Sequence, residues 1–367
     1  MRVMVLGGAG DMGSEAVRDL VAGPDVAAVT IADLNTEAAE RLASEVGGSK
    51  TEVRTIDATS HAALVAAMRG HDVIAGALGP FYRFERPIVE AALAADVDYV
   101  SICDDHDAVS AVLDLDEVAR RQGRRILSGM GWTPGLSNML ARKGYELLDE
   151  VDSIRIYWAG SAGDTSGFAV VLHTLHIFGG MVVSYLDGRH TDVRAGSEPE
   201  TVEFPEPLGE VRTFHLGHPE PVTIPENLGR VNEVVLKGGL AENYLNTLSR
   251  MVSALGLTAT PKRKQVLGKI MKALMPFFPV RRERAFSGIR VDIRGRDGGE
   301  PVHLSYAVVD RMRRLTGIPL SIGAQMMGRG EIAATGVFGP EAEGAVSPGS
   351  FLRRLAARGI EITETRS

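Results

Sequence analysis

The sequence predicts an α/β protein, a Rossmann-type doubly wound parallel sheet followed by a second domain. Three observations carry that prediction. Short apolar, β-branched runs alternate with helix-period segments from Arg2 to Leu127. A glycine-rich turn joins the first run to the first helical segment. The length of 367 residues accommodates about two domains, each with its own core.

Taken in order, Arg2–Leu6 is the first strand and stops at Gly7-Gly8-Ala9-Gly10-Asp11-Met12-Gly13. A helix follows with Met12, Ala16, Val17, Leu20 and Val21 on one face, closed by Gly23-Pro24. Val26–Ala32 is the second strand, ended by Asp33. Asn35-Thr36 opens a second helix that turns Ala38, Ala39, Leu42 and Val46 inward and stops at Gly47-Gly48. The unit then repeats. Glu52–Ile56, Asp72–Leu78, Tyr99–Ile102 and Arg125–Leu127 read as strands, and Ser60–Met68, Arg86–Ala95 and Leu115–Gln122 as helices. Strands separated by helices pair in parallel, because parallel neighbours need crossover connections. The expected domain bounds are 1–132, 133–310 and 311–367.

Composition excludes several classes. The apolar share of 44% and charged share of 24% are those of a globular protein, so disorder and collagen-like repeats are ruled out. One cysteine makes neither an internal disulfide nor a multi-cysteine metal site. A net charge of −7 argues against duplex nucleic acid as a partner. No long apolar run and no signal-like segment precede or follow the first strand, so a cytoplasmic location is expected. The 42 glycines exceed the usual share of about 7% and ask for an explanation by placement.

Gly8, Gly10 and Gly13 form G-x-G-x-x-G between a strand and a helix. Gly10 lets the backbone approach a pyrophosphate at the positive helix N-terminus, beside Asp11 and Met12, and Gly13 permits close helix–strand packing. Alone the pattern is an ordinary glycine turn. Asp33 at the end of the second strand, 20 positions after Gly13, adds an acid placed for an adenosine ribose. Asp33 repels a 2′-phosphate and Leu34-Asn35-Thr36 brings no Arg, so NAD is the expected cofactor and NADP the alternative. Asp57 and Ala58, after the third strand, are placed for the adenine, with a helix cap as the other reading of Asp57. Ala77, Leu78 and Gly79 stand at the sheet mouth after the fourth strand.

Several segments together resemble the saccharopine dehydrogenase-like superfamily, whose members include saccharopine reductase, lysine 6-dehydrogenase and carboxynorspermidine dehydrogenase. The carriers are Gly7–Gly13, Ile56-Asp57-Ala58, Gly79-Pro80-Phe81 before a helix near Arg86-Pro87, and Asp98-Tyr99-Val100-Ser101. The most specific is Gly129-Met130-Gly131-Trp132-Thr133-Pro134-Gly135-Leu136-Ser137-Asn138, similar to the family's G-x-x-P-G-[LI]-S-N stretch. The resemblance is strong to about Leu140 and in outline beyond. It implies dinucleotide binding by 1–132, a second, α+β mixed-sheet substrate domain for catalysis and dimerisation over 133–310, and a late helix returning toward the nucleotide domain within 311–367, which Thr316–Ala324 fits, together with hydride transfer at a carbon bearing nitrogen, an amino-acid-like substrate, and a homodimer. One segment departs. Where lysine 6-dehydrogenase-like members carry an aromatic-Pro-Gly-His stretch, this chain reads Leu236-Lys237-Gly238-Gly239-Leu240.

Cys103-Asp104-Asp105-His106-Asp107 is dense in titratable groups that could tune a base or bind a cation, and Asp104 is taken from it as a catalytic candidate; a solvated loop in which one Asp caps a helix is the other reading. Cys103 reads as a small buried filler. Gly160–Gly167 is a glycine- and hydroxyl-rich loop ahead of Phe168–His176, a segment that in the resembled family enters the substrate cavity. His173 and His176, at i and i+3, share a helix face and are taken as catalytic candidates, with structural roles as the alternative and no metal expected. Lys237 is the fourth catalytic candidate. Arg155, Lys237, Asn243 and Tyr244 are polar candidates for a substrate carboxylate.

Pro261–Phe286 sets eight Lys or Arg against Glu283 alone and interleaves Ile270, Met271, Leu274, Met275, Phe277 and Phe278. It reads as a solvated face over a dimer or domain contact, with no membrane role expected, although a membrane-surface helix has the same look. The reading is therefore an NAD(P)-dependent oxidoreductase. A C=C or C=O reductase, or a dinucleotide-binding regulator without turnover, stay open as alternatives.

Overall fold

In a computed structural model the chain divides into two compact units, Met1–Met139 with Arg313–Ala357, and Leu140–Met312 with Arg358–Ser367. The structure describes residues 1–164, 167–280 and 282–367, and of Pro276 and Arg282 the backbone only. Thr165 and Ser166 of the Gly160–Gly167 loop, and Arg281 of the basic stretch, lie outside the described residues.

The first unit opens with β1 (Arg2–Leu6), α1 (Asp11–Ala22), β2 (Ala28–Asp33), α2 (Thr36–Glu45), β3 (Thr51–Thr55), α3 (His61–Met68) and β4 (Val73–Gly76). It continues with α4 (Phe81–Ala94), β5 (Asp98–Ser101), α5 (His106–Leu113), α6 (Asp116–Gln122) and β6 (Arg125–Leu127). The helix α7 (Leu136–Tyr145) carries the chain across the boundary.

The second unit holds β7 (Glu150–Gly160), α8 (Phe168–Ile177), β8 (Met181–Leu186), β9 (Arg189–Arg194), β10 (Glu200–Phe204) and β11 (Gly209–His215). Then come α9 (Glu220–Leu228), β12 (Glu233–Leu240), α10 (Asn243–Ala254), α11 (Pro261–Leu274), β13 (Ser287–Asp297) and β14 (Glu300–Asp310). The first unit is completed by α12 (Met312–Gly328), β15 (Gly336–Phe338) and α13 (Pro348–Ala356), and β16 (Thr363–Arg366) returns to the second.

The first sheet has the order β15-β6-β5-β4-β1-β2-β3, and every pairing in it is parallel. The order reverses between β1 and β4, the switch point where ligands of such sheets sit. Val3, Met4, Val5 and Leu6 are wholly buried, as a central strand covered on both faces requires. The doubly wound reading is thus borne out, with three refinements. The fourth helix starts at Phe81 instead of Arg86 and runs through Pro87, an interior proline that donates no amide to the helix ladder. A helix at His106–Leu113 lies where only a capping Asp was expected. A seventh strand, Gly336–Phe338, joins β6 and is too short to show a period in sequence.

The segment Thr316–Ala324 lies within α12, and α12 packs on α1. A Cβ placed on Gly317 would lie 2.5 Å from the Met12 carbonyl oxygen, so the two helices touch backbone to backbone. Ser321 Oγ donates to Asp19 at 2.5 Å along the same contact.

The second sheet is mixed, ordered β10-β11-β12-β7-β13-β14-β16, with β8 and β9 attached through β12. Only β12 and β7 pair in parallel along that path; β11, β13, β14 and β16 join antiparallel. Ile154, Ile156, Val234, Leu236, Ile289, Val291 and Ile293 alternate inward on one face and are all buried.

Candidate functional site

The turn between β1 and α1 is built by close approach. Gly7 has φ of 71°, and a Cβ there would stand 2.7 Å from the Ala77 carbonyl oxygen at the end of β4. A Cβ on Gly13 would lie 2.2 Å from the Gly7 oxygen, and one on Gly8 would lie 2.9 Å from the Val5 oxygen. Gly10 differs: a Cβ there meets only the Gly7 oxygen, at 3.2 Å, so its space faces outward. Gly10 is also the N-cap of α1, with Asp11 and Met12 in the first turn. A glycine cap brings no side chain over the positive helix end, where anions are stabilised.

Asp33 ends β2 and binds the turn directly. One carboxylate oxygen accepts from the Ala9 amide at 3.1 Å and the other from the Asn35 amide at 2.9 Å. Asp57 is exposed and accepts from both the amide (2.9 Å) and the hydroxyl (2.7 Å) of Thr59, which hold its carboxyl below the usual range. The cap of α3 is Ser60, not Asp57. Ala58 is buried, Ala77 donates its amide to Leu6 at 2.9 Å, and Leu78 and Gly79 are half-buried beside it. The residues nominated for the cofactor therefore gather at the carboxyl ends of β1 to β4. A cradle that side chains would fill fits a pyrophosphate, and an acid at the end of β2 fits a ribose.

Beyond β5, Asp104 is half-buried and Asp105 is buried, accepting from the Tyr82 amide at 2.8 Å. Burial pushes the Cys103 thiol well up, which suits a filler. Nearby lies a group that the sequence reading missed. Glu85 on α4 is wholly buried and accepts from Ser101 (2.5 Å), Tyr99 (2.9 Å) and Ser128 (3.2 Å). Burial raises its pKa to about 7 against those donors. The signal was present: Glu85 stands at i+4 from Phe81 and three before Ile88, on the buried stripe of α4.

The stretch Gly129–Asn138 folds into a buried knot. Asn138 Oδ1 accepts from the Gly135 amide at 2.8 Å, and its Nδ2 donates to Glu341 at 2.8 Å. Gly135 has φ of 123°, and a Cβ there would sit 2.3 Å from the Gly131 nitrogen.

In the second unit the nominated residues separate. His173 on α8 stacks edge-on against buried His218 at 5.4 Å, and His218 lies 5.8 Å from the Trp158 ring. Buried Glu220 places an oxygen 3.9 Å from His218 Nδ1. His218 and Glu220 were not nominated; Gly217-His218-Pro219-Glu220, polar residues opening α9 right after β11, was the available signal. His176 pairs with Lys264 of α11.

Lys237 is elsewhere. In register it sits beside Tyr157, while Gly238 sits beside Trp158, so Lys237 and Trp158 project from opposite faces of the sheet. A Cβ on Gly238 would lie 2.0 Å from the Trp158 ring, so the indole covers that glycine. Buried Lys237 donates to Glu200 at 3.0 Å, and Tyr157 donates to the same carboxylate at 3.0 Å. Those two donors hold Glu200 below the usual range in spite of its partial burial. Arg155 lies on this face as well and donates to Glu233 at 2.6 Å. The cavity there, about 380 Å³, is lined by Arg155, Tyr157, Glu200, Arg290, Asp292 and His303, with most of its charges already paired across it. Of the remaining candidates, Asn243 is exposed at the start of α10, and Tyr244 donates to the Pro279 carbonyl at 3.1 Å.

Residues 3–127 match the family model described as the saccharopine dehydrogenase NADP binding domain. The whole chain superposes on apo saccharopine dehydrogenase (L-Glu forming) from Saccharomyces cerevisiae with a TM-score of 0.70 and 16% identity, covering 100% of this chain and 99% of that one. GenD2 from gentamicin A biosynthesis, in complex with NAD, is similar at a TM-score of 0.44 and 14% identity, covering 100% and 96%. Pen from Bacillus thuringiensis is similar over 35% of this chain and 49% of its own, at 0.30 and 14%. The domain family over residues 3–127 and the fold over the whole chain support the superfamily resemblance and an NAD(P) cofactor.

Proposed function

We propose that this chain, a member of the saccharopine dehydrogenase-like superfamily, is an NAD(P)-dependent oxidoreductase that transfers hydride at a C–N bond of an amino-acid-like small molecule, oxidising an amine or reducing an imine. The observation that carries the reading is the glycine turn held by Asp33: Gly7, Gly8 and Gly13 touch backbone, Gly10 opens outward, and the acid stands at the end of β2. NAD is the preferred form, because the Asp33 carboxylate opposes a 2′-phosphate and the residues after it bring no cation. The nicotinamide supplies or accepts the hydride when bound. The protein then has to place the substrate and move one proton. His173 is proposed for the proton, since an imidazole exchanges one near neutral pH. His218 and Trp158 are proposed as the wall that orients His173. Lys237 takes a structural role in this reading.

The engagement of Lys237 with Glu200 favours one second reading, a reductase of a C=C or C=O bond, whose substrate needs no carboxylate anchor at that position. Titration with NADH and NADPH, followed by turnover on amino acids with NAD⁺ and on keto acids plus amines with NADH, tests both. Turnover of an amine–imine pair is expected. Turnover confined to unsaturated or plain ketones selects the second reading, and no binding of either nucleotide overturns both.

A further inference from the structure

We propose that α10 and α11 dock the second unit, by their outer surfaces, onto an anionic lipid membrane; this is independent of the oxidoreductase reading. Of twelve exposed large hydrophobic side chains among the described residues, nine fall between Tyr244 and Phe277. Single exposed hydrophobics are ordinary, but this concentration is patterned. In α10, Tyr244, Leu248, Met251 and Leu255 recur at i, i+4, i+7 and i+11, and Leu255 is 72% exposed, while Leu245, Asn246 and Ser249 are buried. In α11, buried Gly268 faces α8, where a Cβ would lie 2.9 Å from Leu172 and 3.2 Å from Phe168. The opposite side presents Val266, Ile270 and Leu274, and just beyond the helix Phe277 is 80% exposed.

Charge says what covers this surface. Lys262, Arg263 and Lys269 are exposed along the α11 stripe, Lys272 reaches over the Phe168 ring of α8 at 5.7 Å, and Glu283 is the one acid between Pro261 and Phe286. The remainder of the chain is acidic, so the cations are concentrated here. A second copy of the chain would meet this patch with the same patch in a two-fold interface, setting cation against cation. Lys is also depleted in protein–protein interface cores. An apolar helical stripe flanked by Lys and Arg is the arrangement of a helix lying in the plane of a membrane surface, where the apolar side enters the acyl boundary and the cations meet anionic headgroups. No helix among the described residues is long and apolar enough to cross a membrane, so the attachment is peripheral.

The test is sedimentation of the full chain with phosphatidylcholine vesicles, with and without phosphatidylserine, at low and high salt. Binding is expected only with phosphatidylserine and weakens with salt. Lys262→Ala/Lys269→Ala should lower the partition coefficient about 10- to 30-fold, at about 1 kcal/mol per cation. Ile270→Ser/Phe277→Ser should lower it at least about tenfold through lost apolar burial, with the thermal midpoint unchanged. The proposal is overturned if the chain does not sediment, if phosphatidylserine makes no difference, or if the serine pair binds as well as the parent. It is equally overturned if light scattering finds a dimer that the serine pair dissolves while vesicles bind neither protein, since a second copy then covers the face.

Discussion

The carboxylate of Asp33 and the amide of Ala9 are hydrogen-bonded at 3.1 Å, tying the end of β2 to the middle of the glycine turn. The acid therefore does two things at once, shaping the turn and presenting negative charge beside it. Asp33→Asn keeps an acceptor for Ala9 and removes the charge. The parent should bind NADH more tightly than NADPH, and the variant should narrow that gap by about tenfold, read by fluorescence titration with both nucleotides.

Gly13 and Gly7 approach so closely that alanine at 13 would stand 2.2 Å from a backbone oxygen. Neither partner is a flexible side-chain tip, so the helix must shift away from the turn. Gly13→Ala should cost about 1–3 kcal/mol, seen in the urea midpoint, and weaken NADH binding at least about tenfold. Gly10→Ala, with contact only at 3.2 Å, should cost less stability while still weakening binding.

Glu85 makes stability depend on pH. Its folded pKa of about 7 exceeds the ordinary value of 4.5, so the folded state holds the proton more tightly. Its stabilising contribution is complete below pH 4.5 and is lost as pH rises through about 7. The total change is on the order of 3 kcal/mol. Urea unfolding at a series of pH values should show that slope, and Glu85→Gln should flatten it.

His173 and Lys237 separate by readout. His173→Phe should lower kcat by about 100-fold or more and remove one limb of the pH–rate profile, with little change in stability. Lys237→Met leaves Glu200 without its cation and should cost about 1–3 kcal/mol of stability while kcat/KM holds. A large fall in kcat/KM for Lys237→Met at unchanged midpoint would return Lys237 to the chemistry.

Much of the first unit was legible because its signals are local. A strand, a glycine turn and a helix follow one another within Arg2–Ala22, and Asp33 marks the end of the next strand. The buried stripe of α4 even carried the sign of Glu85, an acid where apolar residues recur. The second unit was less legible. The character of Trp158 and Lys237 was readable, but the sheet face each occupies was not.

By itself the sequence determined that the first unit forms a parallel sheet, because its short apolar strands repeat with a crossover helix between most of them, and where the glycine turn lies, because glycines and an acid at fixed spacing act through adjacent backbone. The tertiary structure decided which side chains share a site. The register of β12 beside β7 sends Lys237 to Glu200 and away from Trp158, and the same packing leaves the α10 and α11 stripes uncovered. Register and coverage are set by partners far along the chain, and a one-residue slip would reverse every face.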